Sequence, residues 1–255
     1  MSVKSGFFTT GLVLMLASIG HSAVIQVQSD ILDHEAYKTV SSGGLTTSNG
    51  VGGDNRIGSR TSGTLSSSIL PFALPAIAGG EEIVSATLSV TFEGEGSQAI
   101  EAGDGNVDLY GLPFQASPFT QDASRYFSGP ADPTVGVAKL QDDLFTPAEY
   151  PAVGAPVTKV SVDVSGYLES LYAAGAAAGD FAVLRLSYDI DALSGNNRYR
   201  VVTSAGDGST VDSAPHTIAE GAPFLNIVTA PIPEPTSLAL LGLGLAGAGL
   251  SRRRR

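Results

Sequence analysis

Apolar and polar positions alternate in short runs along most of the chain. Val24-Ile-Gln-Val-Gln28 alternates as a half-buried strand does. Ser67 to Leu74 has the same character, and Pro75 to Gly80 supplies the turn after it. Ile83 to Phe92 is the clearest strand. A period of two places Val84, Ala86, Leu88, Val90 and Phe92 on one face, the expected core face, with mostly Ser and Thr on the other. Asn106 to Leu112 follows, with Val107 and Leu109 on one side. Thr158 to Val164, Phe181 to Tyr188, Tyr199 to Ser204 and Pro223 to Thr229 complete the predicted strands. Helical spacing occurs once. Val164, Tyr167, Leu168 and Leu171 predict a helix over Ser165–Ala174, which Gly175 and Gly179 can stop. Two stretches lack a period: Ser41 to Gly63 reads as a long exposed loop, and Pro113 to Val157 as irregular. Many short strands with one short helix predict an all-β fold, an antiparallel β-sandwich of jelly-roll-like form.

Both ends break this pattern. Lys4, an apolar run from Phe7 to Ile19 and the small residues Gly20, Ser22 and Ala23 have the layout of a secretory signal peptide, residues 1–23. Cleavage is expected near Ala23, although His21 suits the position two before it poorly; an uncleaved N-terminal anchor is the other reading. At the C-terminus stand Pro233-Glu234-Pro235, an uncharged apolar run from Leu238 to Leu250, and Arg252, Arg253, Arg254 and Arg255. The prolines keep helix from starting before Thr236 or Ser237, either of which can cap it. The arginines stop the chain on the cytoplasmic side and leave the rest outside. The run is shorter than the roughly 18 to 20 residues of a permanent span, which suits a transient single-span anchor. The chain therefore divides into residues 1–23, a sandwich domain at 24–230, and a sorting or anchor segment at 231–255.

Removing the ends sharpens the charge. The whole chain has 14 basic and 25 acidic residues. Subtracting Lys4, Glu234 and the four arginines leaves 9 basic and 24 acidic, a net of −15. That disfavours nucleic acid and anionic polysaccharide as simple electrostatic partners. Cysteine is absent, so disulfides, thiol catalysis and thiolate metal sites are excluded and the core alone must hold the fold. Tryptophan is absent too, which removes indole stacking as a route to sugar binding.

The tail resembles the PEP-CTERM sorting signal of Gram-negative bacteria over residues 231–255, with the proline-flanked glutamate, the apolar run and the arginines in that order. The resemblance implies handling by an exosortase-type membrane protease, transient residence in the inner membrane, and a setting of exopolysaccharide and biofilm. Residues 54–229 more loosely resemble the DNRLRE-type β-sandwich modules of secreted bacterial proteins. The matching pieces are Ile69-Leu-Pro-Phe-Ala-Leu-Pro, Ile83-Val-Ser-Ala-Thr-Leu, Val162-Asp-Val-Ser-Gly-Tyr-Leu and Ala222-Pro-Phe-Leu-Asn-Ile-Val. The charged pair usual around the Phe of that family is replaced here by Leu70-Pro71 and Ala73. Some of its members are carbohydrate-binding modules.

Residues with chemistry are sparse. His34 and His216 have no partner nearby in sequence, and nucleophile-elbow, zinc-protease and phosphate-loop motifs are missing. Asp104-Gly-Asn106-Val-Asp108 sets three oxygen-bearing side chains at alternate positions, as calcium loops do, but Leu109 and Gln115 stand where an EF-hand needs Gly and Glu. A plain turn into a strand explains the same residues. Asp142-Asp143 and Asp189 with Asp191 could coordinate calcium or serve acid–base chemistry, or simply face water. Arg56, Arg60, Tyr188 and Tyr199 could line a sugar site, or pack. No cofactor is expected, calcium being the one these residues could take.

These observations lead to the expectation of an exported, non-enzymatic surface or extracellular-matrix protein. The alternatives are a carbohydrate-binding module and a polysaccharide lyase or hydrolase using paired carboxylates.

Overall fold

The computed structural model describes residues 22–30, 34–39, 45–47, 55–60, 64–94, 106–120, 126, 137–149, 157–188, 198–201 and 222–232. The signal-peptide segment up to His21, Asp104, Asp189, Asp191, His216 and the tail from Pro233 lie outside them. Among the described residues no helix is long and apolar enough to cross a membrane.

Twelve strands and one helix follow in order: β1 (Ala23–Gln28), β2 (His34–Thr39), β3 (Leu45–Thr47), β4 (Asn55–Arg60), β5 (Thr64–Ala73), β6 (Glu81–Gly94), β7 (Val107–Gln115), β8 (Ala138–Phe145), β9 (Val157–Asp163), α1 (Ser165–Ala173), β10 (Phe181–Tyr188), β11 (Arg198–Val201) and β12 (Phe224–Pro231). Every pairing between them is antiparallel. The ladder runs β1-β12-β6-β11-β4-β5-β10-β7-β8, with β9 on β6 and β2 carrying β3 against β5. Two sheets result. One is built on the long β6, which holds β12 and β11 along one part or another of its length and β9 besides. The other is built on β5, which serves β2, β4 and β10. The short β11 and β4 pair with each other and join the two.

The larger of two apolar clusters among the described residues fills the space between the layers and includes Leu70, Phe72, Leu88, Leu109, Leu184 and Ile227. Phe92, Phe145, Tyr199 and Tyr188 form an aromatic run within it: Phe92 and Phe145 stack at 4.3 Å, and Tyr199 meets Phe145 and Tyr188 edge-on at 5.0 and 5.6 Å. Tyr199 is fully buried and packs the core, with Tyr188 half-buried against it. A smaller apolar group, Ala36, Ile69, Leu112, Tyr126 and Val183, forms a second cluster.

Three expectations need correction. Val84 is 56% exposed, whereas Ala86, Leu88, Val90 and Phe92 are buried and Ile83 joins them. The register between β6 and β12 slips between Val228, opposite Ser85, and Thr229, opposite Ile83, so Val84 is the extra residue of a bulge. A bulge inverts the alternation on one side of itself, which a simple period of two does not anticipate. The expected long loop Ser41 to Gly63 contains β3 and β4, and β4 buries Ile57 and Asn55. Its Gly58, at φ 123, adopts a backbone that hides a strand inside a glycine-rich stretch. The irregular Pro113 to Val157 contains β8. β7 is also buried on both faces, since Asp108 and Tyr110 are as enclosed as Val107 and Leu109.

The helix forms where expected and locks both layers together. Gly175 (φ 98) ends it: its N–H donates to the Tyr172 carbonyl and that of Ala176 to the Leu171 carbonyl, a Schellman motif. At the other end the Ala86 N–H of β6 donates to the Ser165 hydroxyl at 2.7 Å, and the Val164 N–H donates to the Ala86 carbonyl. Tyr167 crosses to the second layer. Its hydroxyl lies 2.8 Å from the Leu112 carbonyl and 2.9 Å from the Val183 carbonyl, and accepts the Val183 N–H at 3.1 Å. This is where the β7–β10 register shifts between Phe181 and Val183, so the phenol closes a gap in the ladder. Its ring rests on Gly111, where a Cβ would meet Cδ2 at 2.5 Å and Cε2 at 2.6 Å. Gly111→Ala is therefore expected to cost about 1–3 kcal/mol as an overpacked site. Tyr167→Phe is expected to cost about 1–3 kcal/mol through unsatisfied backbone groups. The two should couple, the double variant losing less than the sum, as read from urea unfolding midpoints.

Candidate functional site

Two places concentrate chemistry: a charged cluster where β7 meets β8, and the end of β12.

The cluster begins with Asp108, fully buried on β7. The β7–β8 register shifts between Val107, opposite Phe145, and Leu109, opposite Gln141, so β8 bulges opposite Asp108. The bulge frees the Asp143 N–H, at the left-handed φ of 51, and Asp108 Oδ1 accepts it at 2.9 Å. Asp108 Oδ2 accepts the Tyr110 hydroxyl at 3.1 Å and pairs with Lys139 Nζ at 2.8 Å. Lys139 also pairs with Asp142 at 2.9 Å, and the Asn106 amide donates to Asp143 at 2.7 Å. Arg185 of β10 lies over the Tyr110 ring, 4.3 Å from its centroid, and donates to the Tyr126 carbonyl. Ser67 and Ser187 share a buried hydrogen bond at 2.7 Å nearby on β5 and β10.

The structure thus joins parts of two separate candidates, Asn106 and Asp108 from one and Asp142 and Asp143 from the other. The carboxylates of Asp108, Asp142 and Asp143 come within 4.8 Å of one another. Any metal there would draw on these oxygens, with Asn106 beside them. The position between Asp108 and Asp142 is held by the Lys139 ammonium. Lys139, Tyr110 and Arg185 were not singled out from sequence. The available signal was Asp108 itself, an acid between Val107 and Leu109 in a run apolar on both sides, where a buried carboxylate needs a cation. Arg56 is half-buried on β4, while His34 on β2 and Arg60 on β4 are placed by backbone alone, opposite Ile69 and Thr64.

Charges inside the cluster move its titrations. Hydrogen bonds to Asp108 and then to Asp142 raise Lys139 above the ordinary lysine range. The bond from Lys139 lowers Asp142. Burial, then the Asp108 charge, pushes Tyr110 up to about 12. A phenol held protonated that far above neutrality is a donor, not a general base. Burial likewise raises Tyr172 to about 12 and Tyr167 further. All four groups keep their protons in the folded state above pH 10, where the unfolded chain releases its own. The unfolded state then binds fewer protons, so stability is complete below about pH 10 and falls as pH rises. The contribution is largest for the buried Tyr167, whereas solvent screening weakens that of Lys139, whose side chain is 35% exposed. The expected result is an alkaline unfolding transition in which tyrosinate absorbance from these residues rises together with loss of the sheet signal.

The second place is where the chain leaves the fold. β12 lies between β1 and β6, and its last pairs are Thr229 with Ile83, Ala230 with Glu82 and Pro231 with Glu81. The Thr229 hydroxyl donates to Glu81, and the Ile232 N–H donates to the Gly80 carbonyl at 2.7 Å. Pro233 comes next. The sorting segment therefore continues from a strand of the core with no intervening linker. Comparison with family models finds the PEP-CTERM protein-sorting motif at residues 231–255. The tail is a PEP-CTERM sorting signal. Such a motif implies export, processing by exosortase, a membrane protease, and sorting to the cell surface of Gram-negative bacteria. The PEP-CTERM match starts on Pro231, the last residue of β12, so signal and sandwich abut. Among curated proteins nothing matches the chain.

Proposed function

We propose that this chain is a non-enzymatic surface or extracellular-matrix protein: a jelly-roll-like sandwich exported through the inner membrane, processed by an exosortase and delivered to an exopolysaccharide or biofilm setting. The observation that carries the reading is the PEP-CTERM motif beginning on the last strand of an all-β domain. Two features favour a structural role. The strongest charge cluster ties a bulge in β8 to β7, and its tyrosine is held protonated. The aromatic run is spent in the core. The test is to purify the processed protein from an exosortase-bearing host and offer it the host's own matrix glycans. Co-sedimentation without change in glycan length is the expected result. Shortened or unsaturated glycan products would replace this reading with a hydrolase or lyase.

A further inference from the structure

The three large apolar side chains most exposed among the described residues are Val24 (70%), Val84 (56%) and Ile232 (48%). They lie on one sheet, on strands β1, β6 and just past β12 respectively. Val24 stands directly opposite Val228, and Val228 stands directly opposite Ser85, the residue after Val84. Along β12 the inward residues Leu225, Ile227 and Thr229 are buried, so Val228 and Ala230 point outward and lead toward Ile232. The result is an outward patch of Val24, Val228, Val84 and Ala230 that runs to the residue where the tail departs. Among the described residues, Glu82 lies opposite Ala230, Glu81 opposite Pro231, and Asp163 opposite Thr87 further along β6; the other outward positions of β1 and β12 are Gln, Asn and Phe. The bulge at Val84 matters here. Without it the valine would face the core.

We infer that this face of β1, β12 and β6 rests on the lipid surface of the membrane that the tail enters. The inference builds on the sorting reading, since the tail must first be in the bilayer. Chain length argues for it: only Pro233 to Ser237 separate Ile232 from the apolar run at Leu238. At no more than about 3.6 Å per residue, the six steps from Ile232 to Leu238 hold the Ile232 end of the patch within about 22 Å of the apolar run. Charge argues for it as well. An acidic domain held against an anionic leaflet is repelled unless a face with an apolar patch is the one presented. Three valines and an isoleucine alone bind lipid weakly, but a tether makes the contact intramolecular and raises its effective concentration.

The chain has no cysteine, so single reporters can be attached cleanly. Full-length protein carrying Val24→Cys, Val84→Cys, Gln141→Cys or Ala246→Cys would each be labelled with an environment-sensitive dye. Each would be reconstituted into phosphatidylethanolamine–phosphatidylglycerol vesicles containing brominated lipid. Gln141 is exposed on β8, at the far end of the strand order from β1. The expected result is a blue shift and loss of emission at positions 24, 84 and 246, with position 141 unchanged. Quenching at 246 with positions 24 and 84 unquenched overturns the lipid contact and leaves the sorting reading standing. An unquenched position 246 overturns both. A photo-crosslinker at position 84 in exosortase-bearing cells gives the competing outcome: adducts to the protease in place of lipid would also overturn the proposal. Val24→Asp with Val84→Asp, two exposed positions, should abolish the quench of a dye at position 228 while leaving that at 246.

Discussion

Glu234→Ala, or alanine at both Pro233 and Pro235, is expected to leave full-length protein in the inner membrane, a complete loss of processing. Two prolines keep the segment extended and free of helix, and a protease needs its backbone groups unpaired. Glu234 adds a charge that lipid does not accept, which fixes where the span begins. The structure makes the requirement stricter. Ile232 is still hydrogen-bonded to Gly80, and Pro231 still pairs with Glu81. Cleavage must therefore fall at Pro233 or beyond, or the end of β12 must peel first. Deleting Arg252 to Arg255 should act differently, removing the stop that holds the C-terminus inside and losing membrane retention before processing. Fractionation and intact mass of the three forms in an exosortase-bearing host decide between them. Equal masses in one compartment would mean the tail is an ordinary anchor.

Lys139→Met is expected to be the most destabilising single change in the charged cluster, by about 3–5 kcal/mol, because it leaves Asp108 as an uncompensated charge in a fully buried place. The lysine side chain is 35% exposed, yet its partner is not exposed at all. Asp108→Asn combined with Lys139→Met should recover most of the loss, since the amide still accepts the Asp143 N–H. A loss below about 1 kcal/mol in urea would put the pair with exposed salt bridges. The same variant bears on calcium. With Lys139 in place, chelator is expected to leave the melting curve of the protein unchanged. With Lys139→Met, three carboxylates are left around an uncompensated position, and added calcium should restore stability, by roughly 2.7 kcal/mol at a hundredfold excess over Kd.

Much of the fold was legible because several elements obey one local rule each. The helix at Ser165–Ala173 follows from four apolar positions and a glycine stop, β1 and β9 from alternation, and β5, β10 and β12 from short apolar runs bounded by turn residues. What escaped was nonlocal. Val84 faces outward because of a slip against β12, some 145 positions later in the chain, and no window around Val84 records that. β4 was hidden because its glycine and serine make it read as loop, although β11 and β5 supply its partners. The charged cluster was half readable. Asn106, Asp108, Asp142 and Asp143 were all noticed, as two unrelated groups. Only the β7–β8 pairing brings them together and sets Lys139 among them. The sorting signal was fully legible because its information is sequential: order, spacing and charge along a line.

The pairing of β1 with β12 has a consequence for the order of events during export. β1 is the first strand to emerge, and its ladder partner β12 is the last. β6 is likewise incomplete along Glu81 to Ser89 until β12 arrives. In the export route proposed above, a chain that crosses the membrane N-terminus first waits with one sheet unfinished until residue 231 has passed. The apolar run that would halt translocation on that route begins seven residues later. Completion of the sheet and arrest in the bilayer fall within the same short interval. A protein built this way is held at the membrane at the moment it becomes able to fold, and closing distant strands is the slow kind of folding. On the proposed reading the tail serves as a waiting place, in which an acidic, half-paired chain finishes its sheet before a protease sets it free.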